Sequence, residues 1–138
     1  MTLRELEATF IKYGKDIATP NHGRPLADGT MQWGGFEVNT QIEVESIEEA
    51  QGLIFLCPQC YNKNSGSKGT HQVHISFADR GVPIEQGSKN DKGEPSRWTI
   101  IGGSSLDDLQ LSPSIFLNTS CQWHGFIGNS GVPAGSAN

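Results

Sequence analysis

Two short cysteine motifs constrain this chain more than any other feature of its sequence. The first is Cys57-Pro58-Gln59-Cys60, and the second is Cys121-Gln122-Trp123-His124. In each motif two residues separate two metal-binding side chains, so both side chains can reach one ion. Three thiolates and one imidazole form a closed structural zinc set. We therefore predict one zinc ion bound by Cys57, Cys60, Cys121 and His124.

The fourth ligand has alternatives, because the chain contains 4 histidines. His124 is favoured by its short spacing from Cys121, whereas His71 lies beyond a glycine-rich segment whose ordering would oppose binding. His71 and His74 fall in a predicted strand, where a spacing of three residues points the two side chains to opposite faces. They are not expected to bind one ion together, but either could replace His124.

The ligand types favour zinc in a structural role. Rubredoxin-type iron centres and most iron–sulfur clusters use four thiolates, which this chain lacks. A redox function for Cys57 and Cys60 would need the βαβ pattern of a thioredoxin-like motif, and that pattern is missing. Four protein ligands leave no open coordination position for a water molecule. We therefore expect no catalytic residue at the metal.

The composition favours one small domain whose hydrophobic core needs additional stabilisation by a metal or by cross-links. The chain has 138 residues, of which 35% are hydrophobic, with 17 glycines and 7 prolines. Metals and disulfides commonly stabilise such dilute cores, but 3 cysteines cannot form a closed set of disulfides. The odd cysteine count favours a reducing compartment, and the N-terminus lacks the apolar stretch of a signal peptide. We expect a cytoplasmic protein.

Charge and hydropathy argue against two further classes of protein. The net charge of −5 argues against nucleic-acid binding, because such domains usually carry a basic stripe. The longest apolar run, Leu53–Cys57, is too short to cross a bilayer. A membrane protein and a DNA-binding domain are therefore both disfavoured.

The spacing of apolar residues predicts an α+β fold that is mainly β. Leu3, Leu6, Phe10, Tyr13 and Ile17 recur at steps of three and four, which predicts an N-terminal helix. Thr2 and Glu5 have the spacing of a capping box, which supports this helix. This helix would pack on a small, mostly antiparallel sheet that carries a zinc-ribbon-like pair of knuckles, the turns at Cys57–Cys60 and Cys121–His124. We assign residues 1–132 to one domain and expect residues 133–138 to form a flexible tail. The predicted strands are Phe36–Glu45, Leu53–Leu56, His71–Phe77, Arg97–Ile101 and Leu109–Leu117, followed by a hairpin over Gly125–Val132.

The residues around the two knuckles resemble a family of small proteins of unknown function from phages and prophages. Members more often have glycine where this chain has Gln122. Some carry the label "ammonia monooxygenase", although that enzyme is a membrane copper complex and this chain has no membrane span. The resemblance implies a phage or prophage origin and supplies no activity. The matching stretches, within roughly residues 53–132, are Phe55–Cys60, Gly69–His71, Arg97–Trp98, Ser105–Leu109 and Cys121–Phe126.

Together these features predict a small zinc-binding accessory protein, encoded by a phage, that acts by protein–protein contact. Its partner would be a host or phage protein, which it would inhibit or modulate. The alternative is a zinc-stabilised hydrolase or nuclease in which His71 or His74 works with a carboxylate such as Asp79 or Asp108. The enzyme requires a pocket where a histidine meets a carboxylate, and the binding protein requires an exposed apolar or charged patch.

Overall fold

The computed structural model describes residues 1–19, 22–118 and 121–138, and the regular secondary structure of this part of the chain is mainly β-strand. Its one helix, α1 (Pro58–Asn64), has 7 residues. None of the described residues forms a helix with the length and apolar character needed to traverse a bilayer. The strands are β1 (Thr9–Ala18), β2 (Arg24–Pro25), β3 (Met31–Gln32), β4 (Phe36–Val44), β5 (Gly52–Leu56), β6 (Gln72–Ser76), β7 (Thr99–Gly102), β8 (Gln110–Ser112), β9 (Ile115–Phe116) and β10 (His124–Gly125).

The main sheet has four antiparallel strands in the order β4-β1-β5-β6. Strand β1 pairs with β4 from Phe10, opposite Val44, to Ala18, opposite Phe36. It pairs with β5 only over Thr9–Ile11. Beyond Ile11, strands β1 and β4 therefore continue past β5 as a two-stranded arm. Three smaller two-stranded sheets pair β2 with β3, β7 with β8, and β9 with β10.

The prediction of an N-terminal helix is wrong. The capping box does form, since the N–H of Thr2 donates to Oε1 of Glu5 and the N–H of Glu5 donates to Oγ1 of Thr2, both at 3.1 Å. It begins a turn and not a helix, because Glu7 takes a left-handed conformation (φ 54°). The N–H of Ala8 then donates back to the carbonyl of Leu3 at 3.0 Å. From Thr9 the chain is a strand.

The other predicted strands are found near their expected positions, except that one of them is divided into two shorter strands. Strands β4, β5, β6 and β7 overlap the four predicted segments from Phe36 to Ile101. The predicted strand Leu109–Leu117 is divided into β8 and β9, with Pro113 between them. Proline has no N–H to donate, so it interrupts a strand ladder. The predicted closing hairpin contributes only the short strand β10.

The hydrophobic core covers one face of the main sheet. Phe10, Leu53 and Ile75 lie opposite one another on neighbouring strands, and each is at most 3% exposed. Leu3 and Leu6, from the N-terminal turn, are fully buried in the same cluster. Burying a side chain of this size contributes about 1.5–3 kcal/mol. The N-terminal apolar residues therefore do pack in the core, although they reach it from a turn.

Residues 133–138, predicted as a flexible tail, pack against the rest of the domain. Ala137 is fully buried, and its N–H donates to the carbonyl of Met1 at 2.9 Å. Phe126 and Asn138 exchange two backbone hydrogen bonds of 3.0 and 3.1 Å. The buried alanine and these pairings account for the ordered path of a segment with few apolar residues.

Candidate metal centre

Three of the four predicted ligands lie together in the structure, and His71 is the fourth member of the group. One donor atom from each of Cys57, Cys60, His71 and Cys121 lies within 4.8 Å of the other three. The Sγ atoms of Cys57 and Cys121 are 3.7 Å apart. Nε2 of His71 lies 3.2 Å from Sγ of Cys121. We call these four residues the thiol–imidazole cluster; its arrangement is that of a possible metal site.

The junction of β5 and α1 positions the first two cysteines. Cys57 has extended backbone (φ −61°, ψ 122°) and directly precedes α1, whose first turn holds Pro58. Proline suits this place because the first N–H groups of a helix have no partner within the helix. Cys60 follows three residues after Cys57, so its side chain turns back toward that of Cys57. Cys57 is fully buried and Cys60 is half-buried.

Strand pairing positions His71. Leu56 lies opposite Gln72 in the β5–β6 register, and one step further the N–H of Cys57 donates to the carbonyl of His71 at 3.0 Å. Nδ1 of His71 lies 3.2 Å from the carbonyl oxygen of Gln72. Because a carbonyl can only accept, Nδ1 carries the proton, and Nε2 is left to face the cysteines. Such an orienting hydrogen bond is usual for metal-binding histidines.

A sequence signal for His71 existed in the two predicted strands that flank the first knuckle. His71 lies beside Cys57 when the two predicted strands, Leu53–Leu56 and His71–Phe77, pair as antiparallel neighbours in the observed register. The glycine-rich segment between them does not hold the histidine at a distance, because the ladder fixes both of its ends. Sequence spacing alone therefore understated how close His71 lies to the first knuckle.

The second knuckle contributes Cys121 to the cluster. Nε2 of Gln59, in α1, donates to the carbonyl of Cys121 at 2.6 Å and links the two knuckles directly. Gln122 then takes a left-handed conformation (φ 52°), which turns the chain away toward β10. Gly125, which follows His124, has its backbone close to Asn138, where a Cβ would lie 2.5 Å from the carbonyl oxygen.

The environments of Cys57 and Cys121 separate their pKa values. Burial raises the pKa of the Cys57 thiol to about 12, even though the N–H groups of Cys60 and Gln59 donate to its sulfur. At Cys121 burial also acts to raise the pKa. There several hydrogen bonds outweigh it, of which the largest comes from the N–H of Trp123, and the pKa falls to about 7. A metal binds the thiolate, so metal binding must displace the Cys57 proton.

His124, the predicted fourth ligand, lies outside the cluster. Its side chain is exposed, and Nε2 lies 2.9 Å from Oγ of Ser114. Its ring packs edge-on against Phe116, with a centroid distance of 5.5 Å, and is stacked with Phe126 at 6.3 Å. The physical reason is strand alternation: Trp123 turns inward and is 4% exposed, so the next side chain in β10 points outward.

The pairing of a histidine with a carboxylate, which the hydrolase alternative requires, is not found in the part of the chain that the structure describes. His71 belongs to the cluster, and Nε2 of His74 is hydrogen-bonded to the hydroxyl of Tyr13. The carboxylate of Asp108 accepts the N–H groups of Ser104 and Ser105, each at 2.9 Å. Asp108 is therefore a turn-capping residue.

The possible metal site thus joins three separate parts of the chain. The β5–α1 junction supplies two thiols, the start of β6 supplies the imidazole, and the segment before β10 supplies the third thiol. Comparison of the chain with protein-family models, curated proteins and solved structures gives no significant match.

Proposed function

We propose that this protein is a small zinc-binding accessory protein whose metal is structural. The observation that carries the proposal is the convergence of Cys57, Cys60, His71 and Cys121 within 4.8 Å. Zinc bonds of about 2.3 Å to sulfur in a tetrahedral site would place two sulfurs about 3.8 Å apart. The sulfurs of Cys57 and Cys121 are 3.7 Å apart, which suits such an ion.

The donor set argues for zinc over other metals. Thiolates are poor ligands for magnesium and calcium, which prefer oxygen, and iron–sulfur clusters usually take four thiolates. Four protein donors would fill the coordination shell of zinc, with no position left for substrate or water. The ion would then act as a cross-link between β5, β6 and the segment that leads into β10.

Metal content and thermal melting test this proposal. Purified protein should contain close to one zinc per chain, and a strong chelator should lower its melting temperature. Cys121→Ser should lower the melting temperature to a similar degree, because removing a ligand and removing the ion disrupt the same linked equilibrium. The chelator should then have little further effect on this variant. Metal-free protein that melts like the zinc-loaded protein would contradict a structural role.

The partner is the second element of the proposal, and the arm formed by β1 and β4 supports it. Trp33 is 66% exposed, and the exposed side chain of Met31 lies near it, since a Cβ at Gly23 would be 2.8 Å from both. Leu26 is also exposed, in the same segment between the two strands. Ile17, near the end of β1, is 63% exposed. Large apolar side chains grouped at the surface are typical of contact sites. With the resemblance to phage and prophage proteins, this leads us to propose contact with a host or phage protein.

A capture experiment with matched variants tests the contact. The protein is immobilised and exposed to lysate from bacteria, and bound proteins are compared between the parent, Trp33→Ala and Ile84→Ala. Ile84 is the control, because it is 75% exposed but lies outside the arm. Loss of a captured protein with Trp33→Ala alone would support the arm as the contact surface. Equal capture by all three proteins would exclude this role for Trp33.

A further inference from the structure

A second group of polar residues lies on the face of the main sheet opposite the core. Tyr13 and His74 point to this face, because they alternate along β1 and β6 with core residues. Beside them is an open cavity of about 620 Å³, whose lining includes Glu85, Gln86, Gly87 and Lys89. This size is within the usual range for small-molecule sites. The thiol–imidazole cluster contributes no residue to its lining.

A directed chain of hydrogen bonds orients the two aromatic side chains. The N–H of Ser88 donates to Oγ of Ser76 at 2.8 Å, and the hydroxyl of Ser88 donates to the carbonyl of His74 at 2.8 Å. Oγ of Ser76 lies 2.6 Å from the hydroxyl of Tyr13, which in turn contacts Nε2 of His74. The hydroxyl of Ser76 lies closer to that of Tyr13, at 2.6 Å, than to that of Ser88, at 3.4 Å, so we assign its proton to the shorter contact. Ser76 then donates to Tyr13, and Tyr13 donates to Nε2 of His74.

This arrangement leaves one donor free in the space beside the sheet. Burial and the nearby charge of Arg97 both lower the pKa of His74, which favours its neutral form. A neutral ring that accepts at Nε2 must carry its proton on Nδ1. Nδ1 has no hydrogen-bond partner among the described residues. Since no buried side-chain nitrogen or oxygen of these residues lacks a partner, Nδ1 is accessible from outside the protein. Its N–H is therefore available to a ligand.

The charges around the cavity favour an anion. Arg97 forms no ion pair in the described residues, and its charge acts on both Tyr13 and His74. Lys89 and Glu85 both line the cavity, and Nζ of Lys15 lies 3.5 Å from the carboxylate of Glu85 and 3.7 Å from that of Glu37. The cations Lys15, Lys89 and Arg97 therefore exceed these two carboxylates by one charge. The guanidinium of Arg97 donates to four backbone carbonyls, those of Pro83, Gln86, Ser88 and Ser96.

We propose that this cavity binds a small oxyanion, a carboxylate or a phosphate, through the Nδ1–H of His74 and the ammonium group of Lys89. The charge of Arg97, whose guanidinium is hydrogen-bonded to the loop that carries Gly87, adds long-range attraction without direct contact. Gly87, at the cavity wall, allows the loop to approach closely, since a Cβ there would lie 2.6 Å from Oγ of Ser76. The site is independent of the metal and of the exposed residues of the arm.

The test uses the full chain loaded with zinc and observed by two-dimensional amide NMR. Inorganic phosphate and succinate are titrated separately, with glycerol as the neutral control and ionic strength held constant. Saturable shifts are expected at the amides of Tyr13, His74 and Gly87 for at least one of the two anions. Which anion binds more tightly identifies the ligand as phosphate-like or carboxylate-like. Binding should weaken as salt is added, because the attraction is electrostatic.

Matched lysine variants test the contribution of the cavity charge. Lys89→Gln should weaken binding about two- to fivefold, which is the range for a partly exposed charge pair. Lys12→Gln removes the same charge from the opposite face of β1 and should leave the affinity unchanged. The proposal is overturned if neither anion gives saturable shifts up to about 50 mM. Equal shifts with glycerol, or equal weakening by both lysine variants, would also overturn it.

Discussion

Replacing His71 by alanine is the sharpest perturbation of the candidate metal centre. Structural zinc sites of four ligands bind with about 10–16 kcal/mol at neutral pH, or roughly 2.5–4 kcal/mol for each ligand. Each 1.4 kcal/mol is tenfold in affinity, so His71→Ala should weaken zinc binding by roughly a hundred- to a thousandfold. His124→Ala should leave zinc affinity unchanged, because its imidazole is bound to Ser114 at the surface. The two variants remove the same type of side chain, which belongs to the thiol–imidazole cluster at His71 and lies outside it at His124.

Competition with a chromophoric chelator measures both affinities directly. Each zinc-loaded protein is titrated with the chelator, and the zinc transferred at equilibrium gives the dissociation constant. His124→Ala serves as the control for loss of a histidine, with circular dichroism to confirm that both variants fold with zinc. Zinc loss from His124→Ala together with full retention by His71→Ala would refute the assignment of His71 as the fourth ligand.

Two further predictions follow from the site and the sheet. The proton held by Cys57, whose pKa burial raises to about 12, must leave when zinc binds. Zinc affinity should therefore fall at least tenfold for each unit by which the pH is lowered, or at least about 100-fold from about pH 8 to about pH 6. The same competition assay measures this fall, and a pH-independent affinity would contradict the prediction. Gly52→Ala should destabilise the zinc-loaded protein to urea by about 1–3 kcal/mol, because its Cβ would lie 2.7 Å from the carbonyl of Ile75. Gly34→Ala, where nothing lies within 4 Å, is the control, and equal losses would show that crowding is not the cause.

The strands with clear alternation could be predicted from sequence, and the N-terminal segment could not. Phe36–Val44 alternates without ambiguity and is a strand, as predicted. In the N-terminal segment a step of four residues, such as Tyr13 to Ile17, keeps two side chains on one face of a helix and also of a strand. The capping box resolved this ambiguity in the wrong direction, because it stabilises a single turn equally well. Pairing of β1 with two neighbours decided the outcome, and no local pattern reports such pairing.

The possible metal site was predictable to the extent that local spacing determines it. Cys57, Cys60 and Cys121 converge in the structure as their motifs predicted. The fourth position depends on the pairing of β5 with β6, which brings His71 beside Cys57. The spacing of Cys121 and His124 is the same as in a knuckle. The reversal at Gln122 and the start of β10 turn the histidine outward, and these are properties of the tertiary structure.

The unequal spacing of the cluster along the chain has a consequence for the order of folding. Cys57, Cys60 and His71 are held by the antiparallel strands β5 and β6 and the helix α1 between them, which together form one hairpin-like unit. Cys121 lies 50 residues beyond His71. Closing that long loop costs about 1.3 kcal/mol more than closing the eleven-residue step from Cys60 to His71. An ion captured by the hairpin would therefore nucleate β5, α1 and β6 while the C-terminal third is still unstructured. Cys121 would then arrive as the last ligand, so that completion of the metal shell coincides with closure of the domain.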